Sequence, residues 1–149
     1  MASIEPQVGC INILSYIKRN PVLTRDAFYE HWELIHGPKV GPWVEEHGFK
    51  RYQQIYVSGA TVPIPVGSTV PPPSNSSTSP ALVEYDGIAL FTVSSMEKFV
   101  NATADPYYSN VIGKDQAEIL DMVTVPNGVV QMVYGTVVEY EAGKRVVAC

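Results

Sequence analysis

Apolar residues fall into four short runs, and the segments between them read alternately as helix and turn. Val8–Ile17 is rich in β-branched residues and predicts a strand. One of its faces carries Ile11, Ile13 and Ile17, and the other carries Cys10, Asn12, Leu14 and Tyr16, so both faces should be covered. Thr24 is placed to cap a helix with Asp26 in its first turn, running to about His36. At 100° per residue, Phe28, Trp32 and Ile35 form its core stripe, with His31 and His36 on opposite borders. Gly37-Pro38 should break that helix and open a second, short one through Val40, Trp43 and Val44. Strands follow at Phe49–Val57 and Val83–Val93. Ser94 or Ser95 caps a helix through Met96, Phe99 and Val100, and Asp115–Asp121 reads as another short helix. After the Pro126-Asn127-Gly128 turn, Val129–Tyr140 predicts the last strand.

The order β-α-β-β-α-β is that of the split βαβ unit, an α+β, ferredoxin-like antiparallel sheet with helices on one face. The other face would still carry Leu14, Tyr16 and similar residues, too much apolar surface to leave wet. Two copies closing their sheets into a dimeric α/β barrel, around an interior cavity, would cover it. At 149 residues the chain fits one domain spanning residues 1–149. The segment 61–80 stands apart: six of its twenty residues are proline, eight are serine or threonine, and none is charged. It reads as a long Pro/Ser-rich surface loop insertion, a lid or a tether, that could reshape the cavity mouth.

Composition narrows the partners. Fifteen acidic against ten basic residues give a net charge of -5, which argues against a nucleic-acid or anionic-membrane surface. No apolar run approaches the ~20 residues of a membrane span, and residues 1–7 lack the pattern of a secretory leader. Cys10 and Cys149 make neither a disulfide framework nor a zinc motif, so a reducing, cytoplasmic setting is expected. Phosphate-cradling glycine loops, dinucleotide fingerprints and nucleophile elbows are absent from the sequence, and no cofactor or metal is expected.

The segment Leu23-Thr24-Arg25-Asp26-Ala27-Phe28-Tyr29-Glu30-His31-Trp32, followed by His36-Gly37-Pro38, resembles the helix signature of the EthD-like family of dimeric α/β barrels. Tyr85-Asp86-Gly87-Ile88-Ala89, Asp105-Pro106-Tyr107-Tyr108 and the stretch from Lys114-Asp115 to Asp121 extend the likeness over most of the chain outside 61–80. The resemblance implies a ferredoxin-like homodimer similar to fungal polyketide-tailoring proteins. The wider superfamily holds cofactor-free cyclases, decarboxylases and anthrone-type monooxygenases. It also implies that His36, before the Gly-Pro step, matches the family's active-site histidine.

Candidate chemistry gathers on a few residues. His36 can take and return a proton near neutral pH, although a histidine at a helix break can equally be structural. His31, about 140° away around an α-helix, is wrongly spaced for a zinc pair and reads as a substrate-side or half-buried structural residue. His47 reads as a helix cap. Asp86 interrupts an apolar strand, so it is either a tuned acid or base or the partner of Arg51 or Lys50, and Gly87 beside it permits a close approach. Nine tyrosines are present. Tyr52 or Tyr108 could orient the substrate or its enolate, and Tyr16, Trp43, Tyr56, Tyr107 and Tyr108 could line a cavity for a flat phenolic ligand. The expected function is therefore a cofactor-free lyase on an aromatic or β-keto polyketide-like substrate, acting by decarboxylation, dehydration or cyclisation through an enolate. The catalytic set is His36, Asp86 and Tyr52. The alternatives are an oxidoreductase, a cofactor-independent monooxygenase of an anthrone-like substrate, and a non-catalytic protein that binds an apolar metabolite.

Overall fold

The computed structural model describes residues 9–57 and 85–146. The 61–80 insertion and Cys149 lie outside them. Four strands, β1 (Ile11–Ile17), β2 (Arg51–Tyr56), β3 (Gly87–Val93) and β4 (Val129–Thr136), form one antiparallel sheet in the order β2-β3-β1-β4. This is the ferredoxin-like arrangement, with β1 and β2 separated by β3 in the split βαβ manner. The last apolar run divides. β4 ends at Thr136, and a separate hairpin pairs β5 (Glu139–Glu141) with β6 (Lys144–Val146), turning through Ala142 and Gly143, both at positive φ.

The alternation along β1 decides which face is covered. Ile13, Ser15 and Ile17 are buried under the helices, whereas Asn12, Leu14 and Tyr16 are half-buried on the opposite face. Direct register partners share a face, so Leu14 lies beside Leu90 and Val133, and Ile55 beside Ile88. Val133 and Ile55 remain about two-fifths exposed, at 42% and 39%. Cys10, at the head of β1, is fully buried and disulfide-bonded, a correction to the expectation of reduced thiols, and it offers no thiolate.

The helical layer holds the main departure from the sequence reading. Thr24 caps α1 (Arg25–His31), its hydroxyl accepting the Ala27 N–H at 3.1 Å. The rod does not break at Gly37-Pro38. It widens into a π-helical turn at Trp32–His36 and continues as α2 (Gly37–Glu46), with Pro42 inside it. The Gly37 N–H reaches back to the Trp32 carbonyl, five residues earlier. A wider turn relieves the clash a proline ring makes with the carbonyl four residues before it, which is how Pro38 is tolerated. Phe28 and Trp32 stay in the core, but Ile35 turns out to 46% exposure, so the straight-helix stripe fails at its third member. Ser95 caps α3 (Met96–Thr103), accepting from the Lys98 N–H. A second π turn, Tyr108–Ile112, leads directly into α4 (Gly113–Ile119).

Two apolar clusters result. One is built on Ile13, Val40, Trp43, Phe49, Val93 and Ile112, the other on Ile17, Phe28, Trp32, Ile119 and Leu120. Gly87 serves the second: a Cβ there would lie 2.8 Å from Cη2 and Cζ3 of Trp32. The close approach it permits is therefore to the Trp32 indole. Gly87→Ala should cost about 1–3 kcal/mol of overpacking, read as a Tm several degrees lower. An unchanged Tm would mean that Trp32 can move.

Candidate active site

A cavity of about 560 Å³ lies between the two clusters, under the helices and above the sheet. Trp32 and Leu120 from one cluster and Trp43 and Ile112 from the other line it, with Phe91 and Ala89 as part of its sheet floor. It belongs to one chain and sits on the helix-covered face. It is not the expected hollow between the sheets of two copies: Leu14, Leu90 and Val133, on the open sheet face, point away from this space, and His36 lines the cavity under the helices.

His36 lines the cavity and is only 4% exposed. Its Nδ1 lies 2.7 Å from Oδ2 of Asp115, a residue of α4 that is itself 3% exposed. The other oxygen, Oδ1, takes His31 Nε2 at 2.9 Å and Lys39 Nζ at 3.2 Å. One carboxylate thus joins both histidines. In a turn whose bonds run from i to i+5, residues five apart come nearly above one another, so His31 and His36 point the same way rather than 140° apart. The spacing that looked wrong on an α-helix is the right one here.

Protonation states follow from these contacts. Burial holds the His36 imidazole below its ordinary value of 6.5, and the attraction of Asp115 offsets this only in part, so the ring is neutral at neutral pH. Burial pushes Asp115 up. The hydrogen bonds from His31, His36 and Lys39 outweigh it and hold the carboxyl below its usual 3.8, ionised. A carboxylate only accepts, so His36 keeps its proton on Nδ1 and its lone pair on Nε2. A neutral imidazole fixed in one tautomer by a buried carboxylate is the arrangement of a general base.

Tyr52 also lines the cavity, its ring stacked on Phe91 at a centroid distance of 5.0 Å. Burial pushes its hydroxyl up to about 12, so it stays a proton donor across the physiological range. The Gln54 amide donates to the Tyr52 oxygen at 2.9 Å and to the Trp32 carbonyl at 2.7 Å, fixing the phenol and leaving its own O–H to be given elsewhere. Trp43 and Tyr108 complete the ring-lined wall, 5.2 Å apart, and the Trp43 indole N–H is tied to the Ala102 carbonyl.

The other expected residues lie outside this wall. Asp86 is buried, but it accepts the Arg19 backbone N–H at 2.9 Å and Arg25 Nε at 3.1 Å, with Arg19 Nε at 3.4 Å. It is an ion-paired anchor at the start of β3, and its partners are arginines around α1 rather than Arg51 or Lys50. Tyr16 packs edge-on against Tyr85, Tyr56 donates to Glu33, and Tyr107 donates to the Lys39 carbonyl. His31 reaches Asp115 and does not line the cavity. His47 pairs with Asp105 at 2.8 Å instead of serving only as a cap.

Asp115 is the residue that sequence reasoning passed over as chemistry. Its one signal was its place in the Lys114-Asp115 stretch of the family likeness; nothing local to α4 marks a carboxylate that will meet α1 and α2.

No helix among the described residues is long and apolar enough to cross a membrane. Comparison with known proteins adds two findings. The EthD domain pattern matches residues 20–122, which include His31, His36, Tyr52 and Asp115. The chain is also 25% identical over 115 residues to Dehydratase ustZ of Ustilaginoidea virens, covering 77% of this chain and 76% of that protein. With most of its length inside the matched pattern, the chain belongs to the EthD domain family.

Proposed function

We propose that this protein is a dehydratase, a lyase that removes water from a ring-bearing β-hydroxy carbonyl compound of the polyketide type with its own side chains. The observation that carries this is the neutral His36, locked by buried Asp115 on the wall of a ring-lined cavity. The similarity to a protein named as a dehydratase favours water loss among the enolate reactions. In the first step His36 Nε2 takes the proton α to the carbonyl, and the C–H electrons move into an enolate. Tyr52 donates its O–H to the enolate oxygen, on a largely apolar wall where such a bond is stronger than in bulk water. Asp115 stabilises the imidazolium. The enolate then re-forms the carbonyl, pushing electrons into the new C=C bond, and the C–O bond breaks. The leaving hydroxyl takes the proton from His36 and departs as water, returning the histidine to its starting state. The test is mass spectrometry of a fused-ring β-hydroxy ketone incubated with the protein. A product lighter by one water, lost with His36→Gln, supports the reading; water loss at the same rate without His36 overturns it.

We further propose that the chain works as a homodimer. Leu14, Ile88, Leu90, Val133 and Ile55 share the sheet face that the helices leave open, a contiguous apolar surface of the kind monomers rarely keep. Sedimentation at micromolar concentration should give twice the 16.3 kDa chain mass. Val133→Lys should shift it towards the monomer, and a wild-type monomer would refute the proposal.

A further inference from the structure

The described wall of the cavity offers histidine, tyrosine, serine and amide groups. Among the described residues that line it, none is Lys, Arg, Asp or Glu. For the cations this holds over the whole chain, because all ten Lys and Arg lie within the described residues. Lys39, which reaches the carboxylate that holds His36, is committed to Asp115. His36 itself is neutral, and the Asp115 charge behind it faces any incoming anion with the wrong sign.

A carboxylate or phosphate entering this space would shed its hydration without gaining a cationic partner, and neutral hydrogen-bond donors alone do not offset the loss. A neutral ring system loses little, since its ketone and phenol groups can bond to Tyr52, Ser15, Ser109 or Gln116. We infer that the site selects substrates carrying no ionised group, and rejects the carboxylic acid counterpart of the ring system it accepts. This rests on the dehydratase reading only for the location of the site. It deepens that reading by separating water loss from decarboxylation, whose substrate would have to bring its carboxylate into the same uncompensated pocket.

Both tryptophans of the chain, Trp32 and Trp43, are on the cavity wall, so their emission reports occupancy directly. The experiment titrates the intact protein with a naphthalene carboxylate and with its methyl ester, which has the same rings without the charge. The ester should quench tryptophan emission and bind at least about tenfold more tightly than the carboxylate at neutral pH. Gln116→Arg, which places a guanidinium on the wall, should reverse the preference or abolish it. Equal affinities in the wild type would overturn the inference, as would quenching by neither ligand. If that variant does not fold, the primary amide of the same acid, expected to bind like the ester, serves as a second neutral arm. Because no turnover is measured, equal binding alongside His36-dependent water loss would sink the charge selection alone. Charge selection with no water loss would sink only the dehydratase.

Discussion

Replacing His36 with glutamine should lower kcat by about 10²–10⁴-fold while leaving a folded protein that still binds the substrate's ring system. The loss follows from chemistry that glutamine cannot do: its amide neither accepts the α-proton nor returns it to the leaving hydroxyl. The fold should survive because Asp115 keeps two of its three partners, His31 and Lys39, and so remains a paired carboxylate. Glutamine can also donate to the oxygen that His36 Nδ1 leaves. The aromatic residues of the wall, Trp32, Trp43, Tyr52, Phe91, Phe99 and Tyr108, are untouched, so KM should move far less than kcat. In deuterated water the wild type should wash deuterium into the α-position of unreacted substrate if enolisation is reversible, and the variant should not. A folded His36→Gln with undiminished kcat removes His36 from the mechanism.

Those expectations rest on a geometry that the chain pattern reveals unevenly. The sheet was legible because strand alternation survives local irregularity: Ile13 and Ile17 face the helices, and Leu14 and Tyr16 the other side, as a period of two requires. The caps at Thr24 and Ser95 were legible for the same reason, since each depends only on residues within one turn. His36 was found through the likeness around His36-Gly37-Pro38. Its convergence with His31 on one carboxylate was not, because a fixed 100° per residue places His31 and His36 on different sides of a helix. The π turn at Trp32–His36 invalidates that angle without any local sign in the sequence other than the proline that follows. A second π turn, Tyr108–Ile112, stands directly before α4. Irregular turns thus lie next to both halves of the His36–Asp115 pair, on elements some eighty positions apart.

Asp86 teaches the complementary lesson. A carboxylate inside an apolar strand must be paired, hydrogen-bonded or protonated, and sequence cannot tell which. Here Arg19 and Arg25 reach it, and its backbone carbonyl accepts the Tyr29 hydroxyl at 2.7 Å. The Val57 carbonyl lies 2.6 Å from the same hydroxyl and shares its one proton, so this corner ties β3 to the end of β2 and to α1. Asp86 and Asp115 are comparably buried, and the difference between them is the partner. Arginines cannot give up a proton, whereas His36 can, so of these two carboxylates Asp115 is the one the proposed proton transfer can use.

Asp115→Asn should prove nearly as damaging as loss of the histidine, with kcat down about 10²-fold or more and KM little changed. Asp115 does not line the cavity, so it touches no substrate; it is a positioning residue acting through His36. An amide can present its NH₂ to Nδ1, which moves the imidazole proton to Nε2 and removes the lone pair that attacks the substrate. It also withdraws the negative charge that stabilises the imidazolium. The pH profile distinguishes this from mere structural damage. In the wild type, burial puts the His36 pKa below 6.5, so activity should persist under that pH and fall away on the acid side as the ring protonates. Asp115 is the influence that raises the His36 pKa, so its neutral replacement should carry the acid limb to still lower pH. Stability should follow the same sign. Both groups titrate below their unfolded values, so each favours the folded state at neutral pH. The His36 share should fade as pH drops through 6.5 towards its folded pKa, and the Asp115 share as pH drops below 3.8. An acid limb that stays in place in Asp115→Asn, with kcat unchanged, would show that the buried carboxylate holds the helices together and has no part in the chemistry.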